Sequence, residues 1–180
     1  TDMIREAGIQ LGEMELESPD LPFGLGSGAA AIYGVTGGVA EAVVRYCVPD
    51  KSKNALRSVR VTDLRGDGAI REVHLTIEGQ ELHIAIVNGL IHAKELIADI
   101  EAGKRFYHLV EVMTCQGGCV GGAGQPYGLS DVKQKRKQGL YDTDASALFK
   151  RAEKNPIVTS LLEKYGEEKC HELLHVHYGE

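Results

Sequence analysis

The sequence predicts an α/β fold: a parallel or mixed sheet flanked by helices, with an antiparallel strand extension and a helical C-terminal tail. Three observations predict it. Between Val59 and Val87 the apolar residues recur at every second position, Val73, Leu75 and Ile77 alternating with His74 and Thr76, and Leu82, Ile84 and Ile86 with His83 and Ala85. Period two is the signature of half-buried strands. Ala93, Leu96, Ile97 and Ile100 then recur at helical spacing, and the apolar run from Phe106 to Val112 reads as a further strand. A strand reached through a helix belongs to a βα-type unit, so the antiparallel meander is expected as an appendage to a mixed sheet.

The remaining elements follow in order. Thr1 to Gly8 reads as the end of a helix stopped by Gly8, with Ile9 and Leu11 leading into an extended segment, and Glu13 to Pro22 as an acidic, proline-punctuated surface connection. Gly24 to Gly28 precedes a short apolar stretch ending at Tyr33-Gly34. The loop Val35 to Gly38 precedes an amphipathic helix, Val39 to Val48, that ends before Pro49. Thr36 is the expected cap of that helix, whose amide dipoles would face whatever fills the loop. Gly66-Asp67-Gly68 and Glu78-Gly79-Gln80 supply turns, and Gly89 closes the meander. His74 and His83 are out of phase with the core set and are expected to face solvent. After Pro126 the composition shifts. Lys133 to Leu140 reads as a basic helix with Lys133 to Lys137 on its solvated face, and a second helix ends at Asn155-Pro156. Ile157, Leu161, Leu162 and Tyr165 mark a third, and His171 to His177 a short fourth. The expected division is residues 1–130 and 131–180.

Composition excludes several classes. A chain of 180 residues suffices for one domain or one lobe of a larger one. A net charge of -6 without a clustered basic face argues against a nucleic-acid partner. No apolar stretch approaches a membrane span, and the opening Thr1-Asp2-Met3-Ile4-Arg5-Glu6 is not a signal peptide, so a cytoplasmic location is expected. The glycine loops lack a following Gly-Lys-Ser/Thr and the spacing of a dinucleotide fingerprint, which leaves nucleotide binding a minor hypothesis. The four cysteines, 47, 115, 119 and 170, would pair as two disulfides by arithmetic alone. A compact glycine-flanked pair in an unsecreted chain is more often metal-binding or redox-active. Cys47 and Cys170 read as small buried helix residues, and His171 and His175 as a surface pair.

The chemistry concentrates in Glu111-Val-Met-Thr-Cys115-Gln-Gly-Gly-Cys119-Val-Gly-Gly-Ala-Gly-Gln125-Pro126. Its cysteines sit where a strand empties into a glycine-rich turn, and in open α/β sheets ligands bind at the carboxyl ends of strands. Thiolates select zinc, copper(I) or iron-sulfur clusters. Glycines let backbone amides approach a large cluster, whereas a zinc site needs less room and fewer glycines.

The motif resembles the third cluster-binding signature of the iron-only (FeFe) hydrogenases: a glutamate, Met-x-Cys, Gly-Gly-Cys and Gly-Gln-Pro in that order. Gln116 stands where the family usually has proline, and Ala123 where it has glycine. The run Ser27 to Ala42 is similar to a second hydrogenase stretch, with Tyr33 in place of the usual phenylalanine. The tail, from Lys135-Arg-Lys-Gln-Gly-Leu-Tyr-Asp through Glu153-Lys-Asn-Pro156 to His171-Glu-Leu-Leu-His-Val-His-Tyr178, resembles the hydrogenase small subunit.

This resemblance implies an H-cluster, a 4Fe-4S cubane joined through a cysteine sulfur to a di-iron unit. By position Cys115 would ligate the cubane, Cys119 would ligate it and bridge to the di-iron unit, and Met113 would pack against that unit. Tyr33 and Gly34 would line the pocket, with Gly117 and Gly118 shaping the loop. The other two cluster cysteines and a proton-delivery cysteine are absent from these residues. The resemblance therefore implies the C-terminal part of a catalytic domain, inactive alone, with the N-terminal remainder as partner. A ferredoxin or NAD(P)-linked subunit would be its redox partner. The competing expectations are a Nar1-like iron-sulfur assembly protein, against which the hydrogenase-like tail argues, and a zinc or interaction module. Without a cluster, the amides of residues 115–125 and of the Gly24 to Gly38 segment are expected to lack partners and to leave those loops mobile.

Overall fold

The computed structural model describes residues 2–18, 25–49, 61–128 and 130–176. Its centre is a three-stranded mixed sheet in the order β1-β2-β3. β1 (Ile70–Ile77) and β2 (Gln80–Asn88) form an antiparallel hairpin in register from Ile77↔Gln80 to Ile70↔Val87. Glu78 (φ 50°) and Gly79 (φ 80°) make the two-residue turn, whose positive φ values match the right-handed twist of the strands. The period-two reading holds in β1, with Val73, Leu75 and Ile77 buried and His74 and Thr76 exposed; in β2 both faces are covered, so Ala85 and Val87 are buried as fully as Ile84 and Ile86, and His83, expected to face solvent, is half-buried.

The meander expected from Val59 is shorter. Residues 59 and 60 lie outside those described, and Val61–Leu64 forms a 3-10 turn. The Arg71 guanidinium explains the turn, donating to the carbonyls of Leu64 (2.6 Å) and Arg65 (3.0 Å), which a strand would have offered to a neighbour.

The helix α4 (Leu90–Glu101) follows β2. β3 (Leu109–Met113) runs parallel to β2, from Ile84↔Leu109 to Asn88↔Met113, and α4 supplies the crossover that a parallel pair requires. Ala93 and Leu96 of α4 pack on Ala85 and Val87. On the opposite face α3 (Gly38–Cys47) sets Ala40 and Val44 against Leu64, Val73, Leu75, Ile84 and Ile86. The outer edge of β3 has no strand partner among the described residues. Val110 and Val112 there are 37% and 44% exposed, beside Ile97 of α4 at 54%.

At the N-terminus α1 (Asp2–Glu6) buries nothing and ends before Gly8 (φ 69°), and Leu11–Glu13 is a 3-10 turn rather than extended chain. Ser27 caps α2 (Gly28–Ala31), its Oγ accepting from Ala30 N at 3.2 Å, and a 3-10 turn, Ile32–Gly34, follows.

In the tail, α5 (Ser130–Ser146) is followed by only a 3-10 turn, Ala152–Lys154, where a second helix was expected. Asn155 caps α6 (Pro156–Leu174), its Oδ1 accepting from Ile157 N at 3.0 Å. Gly166 (φ 77°, ψ 161°) interrupts α6, so the break lies five residues before His171, at the one residue that adopts this conformation without strain.

A buried charge cluster joins tail to sheet. Arg45 donates to Asp144 through both guanidinium arms (2.7 Å each) and to Glu41 (2.6 Å); Arg65 donates twice to Glu41 (2.8 Å) and once to Asp144 (3.0 Å). Two cations facing two carboxylates leave no net charge to desolvate. Burial acts to raise the Asp144 carboxyl pKa, but Arg45 and Arg65 outweigh it and hold the group below its usual range. Gly28 is required here, since a Cβ would stand 2.1 Å from Asp144 Oδ1. Of the two cysteines expected to be buried, Cys170 is, while Cys47, the last residue of α3, is exposed. No helix of the described residues is long and apolar enough to cross a membrane.

Candidate metal centre

The end of β3 is fixed by Gly89 N donating to Met113 O at 2.7 Å, and the chain then turns through the cysteine loop. Gly118 N closes back on Cys115 O (2.9 Å), Gly121 N on Gly118 O (3.0 Å) and Gly122 N on Cys119 O (3.0 Å). Gly117 (φ 86°) and Gly118 (φ 89°, ψ −158°) carry the reversal between the cysteines. A Cβ on Gly118 would meet Gly34 O at 2.7 Å, Val35 Cα at 2.9 Å and Thr36 N at 3.0 Å, so two backbones touch here. Thr36 N seals the contact by donating to Gly117 O at 3.1 Å. Both loop cysteines are free and exposed.

The residues singled out from sequence therefore fall into one region. Gly34 abuts Gly118, Met113 is half-buried at the strand end, and Tyr33 is 48% exposed on the adjoining turn. A Cβ on Gly34 would lie 2.6 Å from Leu140 Cδ1 of α5. The expectation of partnerless loop amides is corrected for the four glycines around Cys119. Gly117, Gly118, Gly121 and Gly122 all donate within the protein, so these glycines serve close backbone approach and the loop closes on itself.

Four supporting side chains were not read from the sequence. Buried Asn88, at the end of β2, accepts from Thr36 Oγ1 (2.7 Å) and Gly117 N (3.0 Å) while its Nδ2 donates to Gly68 O (2.9 Å). Thr36 consequently does not cap α3. Buried Glu111 of β3 does, its two oxygens accepting from Gly37 N (2.6 Å) and Ala40 N (2.7 Å). A carboxylate at the positive end of a helix is the stronger cap. An acid on an inward position of a buried strand was the available signal. Lys133 donates to Gln116 O (3.3 Å), and Arg136 to Val120 O (3.3 Å) and Pro126 O (2.7 Å). The basic run is thus no solvated face. Residues 133, 136 and 137 share the inward side of α5 at i, i+3 and i+4, and buried Lys137 reaches Asp67 at 2.7 Å, holding that carboxyl below its usual range.

The histidines assemble without forming a metal site. His74 and His83 meet at 4.4 Å between ring centroids and His108 lies 5.6 Å beyond. His108 Nδ1 accepts from His83 N (3.0 Å), which places its proton on Nε2 and leaves that atom no lone pair for a cation. Exposed His171 and His175 stack at 4.2 Å as a pair. Among the described residues no three His, Cys, Asp or Glu side chains converge for a metal ion. A closed structural zinc site takes four ligands, as a cubane does, and the loop supplies two thiols. Two accessible thiols on a glycine turn fit half the donor set of a cubane.

Comparison with known proteins gives the family. Residues 1–123 match the iron only hydrogenase large subunit, C-terminal domain, and residues 130–180 the iron hydrogenase small subunit. The NADP-reducing hydrogenase subunit HndD of Solidesulfovibrio fructosivorans is 38% identical over 98% of this chain and 31% of its own length. The cytosolic iron-sulfur assembly component 3 of Bos taurus is 31% identical over 98% of this chain and 38% of its own. That match takes in the tail, so the tail does not separate hydrogenases from assembly proteins. A variant of the [FeFe]-hydrogenase HydA1 from Chlamydomonas reinhardtii superposes with a TM-score of 0.72 and 33% identity, covering 98% of this chain and 53% of that one. The chain thus spans about a third of the curated relatives and about half of the solved hydrogenase. With its mixed sheet, its cysteine loop at the end of β3 and matches along nearly its whole length, the chain belongs to the iron-only hydrogenase family.

Proposed function

We infer that this chain is the C-terminal part of an FeFe hydrogenase and contributes Cys115 and Cys119 to the 4Fe-4S cubane of its H-cluster. The observation that carries the reading is the pair of free, exposed thiols on one turn, held by Gly117 and Gly118 in conformations closed to other residues. When bound, the H-cluster supplies reversible combination of two protons and two electrons into hydrogen. The protein's part is to position and shield that group. Cys115 and Cys119 would hold iron of that group, with Cys119 the residue assigned to join its two parts. Met113 offers a polarisable neighbour, and Tyr33 and Gly34 form the adjoining wall.

The same reading supplies the partner. The open edge of β3, with exposed Val110, Val112 and Ile97 beside it, supports pairing with the N-terminal remainder of the catalytic domain, which brings the other two cysteines. A ferredoxin or an NAD(P)-linked subunit then exchanges electrons with the assembled enzyme. The second reading, an iron-sulfur assembly protein, is favoured by a match to such a relative over 98% of this chain and 38% of the relative, at lower identity.

The test is anaerobic reconstitution of the complete protein with iron and sulfide, maturation with the di-iron unit, and assay of hydrogen evolution from a reduced viologen. The hydrogenase reading expects turnover that is lost in Cys119→Ser. A cubane without hydrogen turnover in the matured parent favours the assembly protein.

A further inference from the structure

Each loop cysteine is followed by a residue whose carbonyl a cation of α5 holds. Gln116 O, next to Cys115, accepts from Lys133; Val120 O, next to Cys119, accepts from Arg136, whose other arm takes Pro126 O. The cations stand one helical turn apart and the cysteines four residues apart, so helix and loop run side by side with a matched repeat. The Lys133 stem also lies across the turn. A Cβ on Gly117 would stand 3.2 Å from Lys133 Cδ, and one on Gly121 3.1 Å from its Cε, so the stem spans the turn that contains Cys119.

α5 is also anchored by contacts that lie largely outside the loop. Leu140 and Tyr141 pack on Ile32, Val35 and Val120, and Asp144 is bound by Arg45 and Arg65. It can therefore act as a stiff arm whose first turns grip the loop. A glycine-rich loop loses the most entropy on ordering, and bonds that pre-order it reduce what a ligand must supply.

We propose that α5 is a clamp on the cysteine loop, with Lys133 and Arg136 as positioning residues that fix the peptide planes beside Cys115 and Cys119. The clamp is a property of this chain. Only its consequence for cluster binding rests on the function proposed above.

The test compares the complete, metal-free protein with Lys133→Gln, Arg136→Gln, the double variant and Lys133→Arg. Lys135→Gln serves as control, since Lys135 turns outward to Asp131. Hydrogen exchange at the amides of Gly118, Gly121 and Gly122 is expected to quicken about tenfold or more in the double variant, on the usual worth of charged hydrogen bonds. It stays at the parent rate in Lys135→Gln and is restored by Lys133→Arg, a rescue that loss of general stability would not show. Exchange in the double variant equal to the parent overturns the clamp. If Arg136→Gln does not fold, Lys133→Gln decides alone: quickening at Gly118 that Lys133→Arg reverses supports the clamp, and unchanged exchange overturns it. The same variants reconstituted with iron and sulfide should hold less cubane, with an altered paramagnetic resonance line shape. Quickened exchange together with a parent that takes up no cubane supports the clamp and refutes the functional reading, so the two failures are distinguishable.

Discussion

Replacing Gly118 by alanine puts one methyl group where two backbones meet. Its φ of 89° and ψ of −158° lie in a region that is essentially glycine's alone, a strain of about 1–3 kcal/mol for alanine. The new Cβ also meets Gly34 O at 2.7 Å, Val35 Cα at 2.9 Å and Thr36 N at 3.0 Å, none of which is a side-chain end able to swing aside. Overpacking of this kind costs about 1–3 kcal/mol, giving a sum of about 2–6 kcal/mol. The Thr36 N to Gly117 O bond should break first, because it is the contact the methyl group levers apart. The assay is iron and acid-labile sulfide per chain in the reconstituted complete protein, with denaturant stability measured alongside. Cluster occupancy should fall by about tenfold or more, since each 1.4 kcal/mol is a factor of ten. Gly124→Ala is the internal control, with nothing within 4 Å of its Cβ and no positive φ. It should be neutral or stabilise by up to about 1 kcal/mol. Gly118→Ala with the parent's iron content and a stability within about 0.5 kcal/mol of it would refute the steric account.

Other perturbations probe the surrounding supports. Glu111→Gln removes the charge at the α3 N-terminus and puts an amide nitrogen against a backbone donor, at a cost of about 2–4 kcal/mol in denaturant unfolding. Arg45→Leu leaves buried carboxylates short of a partner and should cost about 3–5 kcal/mol. The cations beside them, Arg45 and Arg65 for Asp144 against its burial and Lys137 for Asp67, hold both carboxyls below the ordinary carboxylate pKa in the folded chain. Their stabilisation is therefore present above that pH and lost as acidification passes the lower folded values; a pH titration of stability should lose part of its acid slope in Asp144→Asn. In the complete enzyme Cys119→Ser should abolish hydrogen turnover while Cys47→Ser, at the exposed end of α3, leaves it close to the parent. Equal losses would contradict the assignment.

What was legible in the sequence was what local chemistry determines. The alternation around His74, the Glu78-Gly79 turn and the helical spacing after Gly89 each answer to a period or to a φ restriction, and each appears as expected, whereas the second face of β2, where Ala85 and Val87 are buried, depends on a remote helix covering it. The cysteine loop was legible because glycine and thiol chemistry are compressed into a few neighbouring positions. The supports of the loop were not, because each joins segments remote in the chain. Asn88 bridges Thr36, Gly68 and Gly117, and Glu111 reaches back to Gly37 and Ala40. Lys133 and Arg136 illustrate a second limit. Spacing of i, i+3 marks a common face but not its direction, and an inward basic face looks solvated until the carbonyls it binds are in place. The buried quartet of Glu41, Arg45, Arg65 and Asp144 was hidden likewise, although two charges four residues apart within the apolar α3 were a signal.

The most direct measurement is the iron and sulfide content and the reduced-state paramagnetic resonance spectrum of the complete protein, anaerobically reconstituted, against Cys115→Ser. Cys115 is the residue assigned to the cubane alone, so its loss isolates the ligand claim from any effect on the di-iron unit. If Cys115 and Cys119 are two of the four thiolates, the parent holds four iron and four sulfide per site, as a 4Fe-4S cubane requires, and the variant loses most of that iron and the cubane signal. Full iron content and an unchanged spectrum in Cys115→Ser would contradict the account.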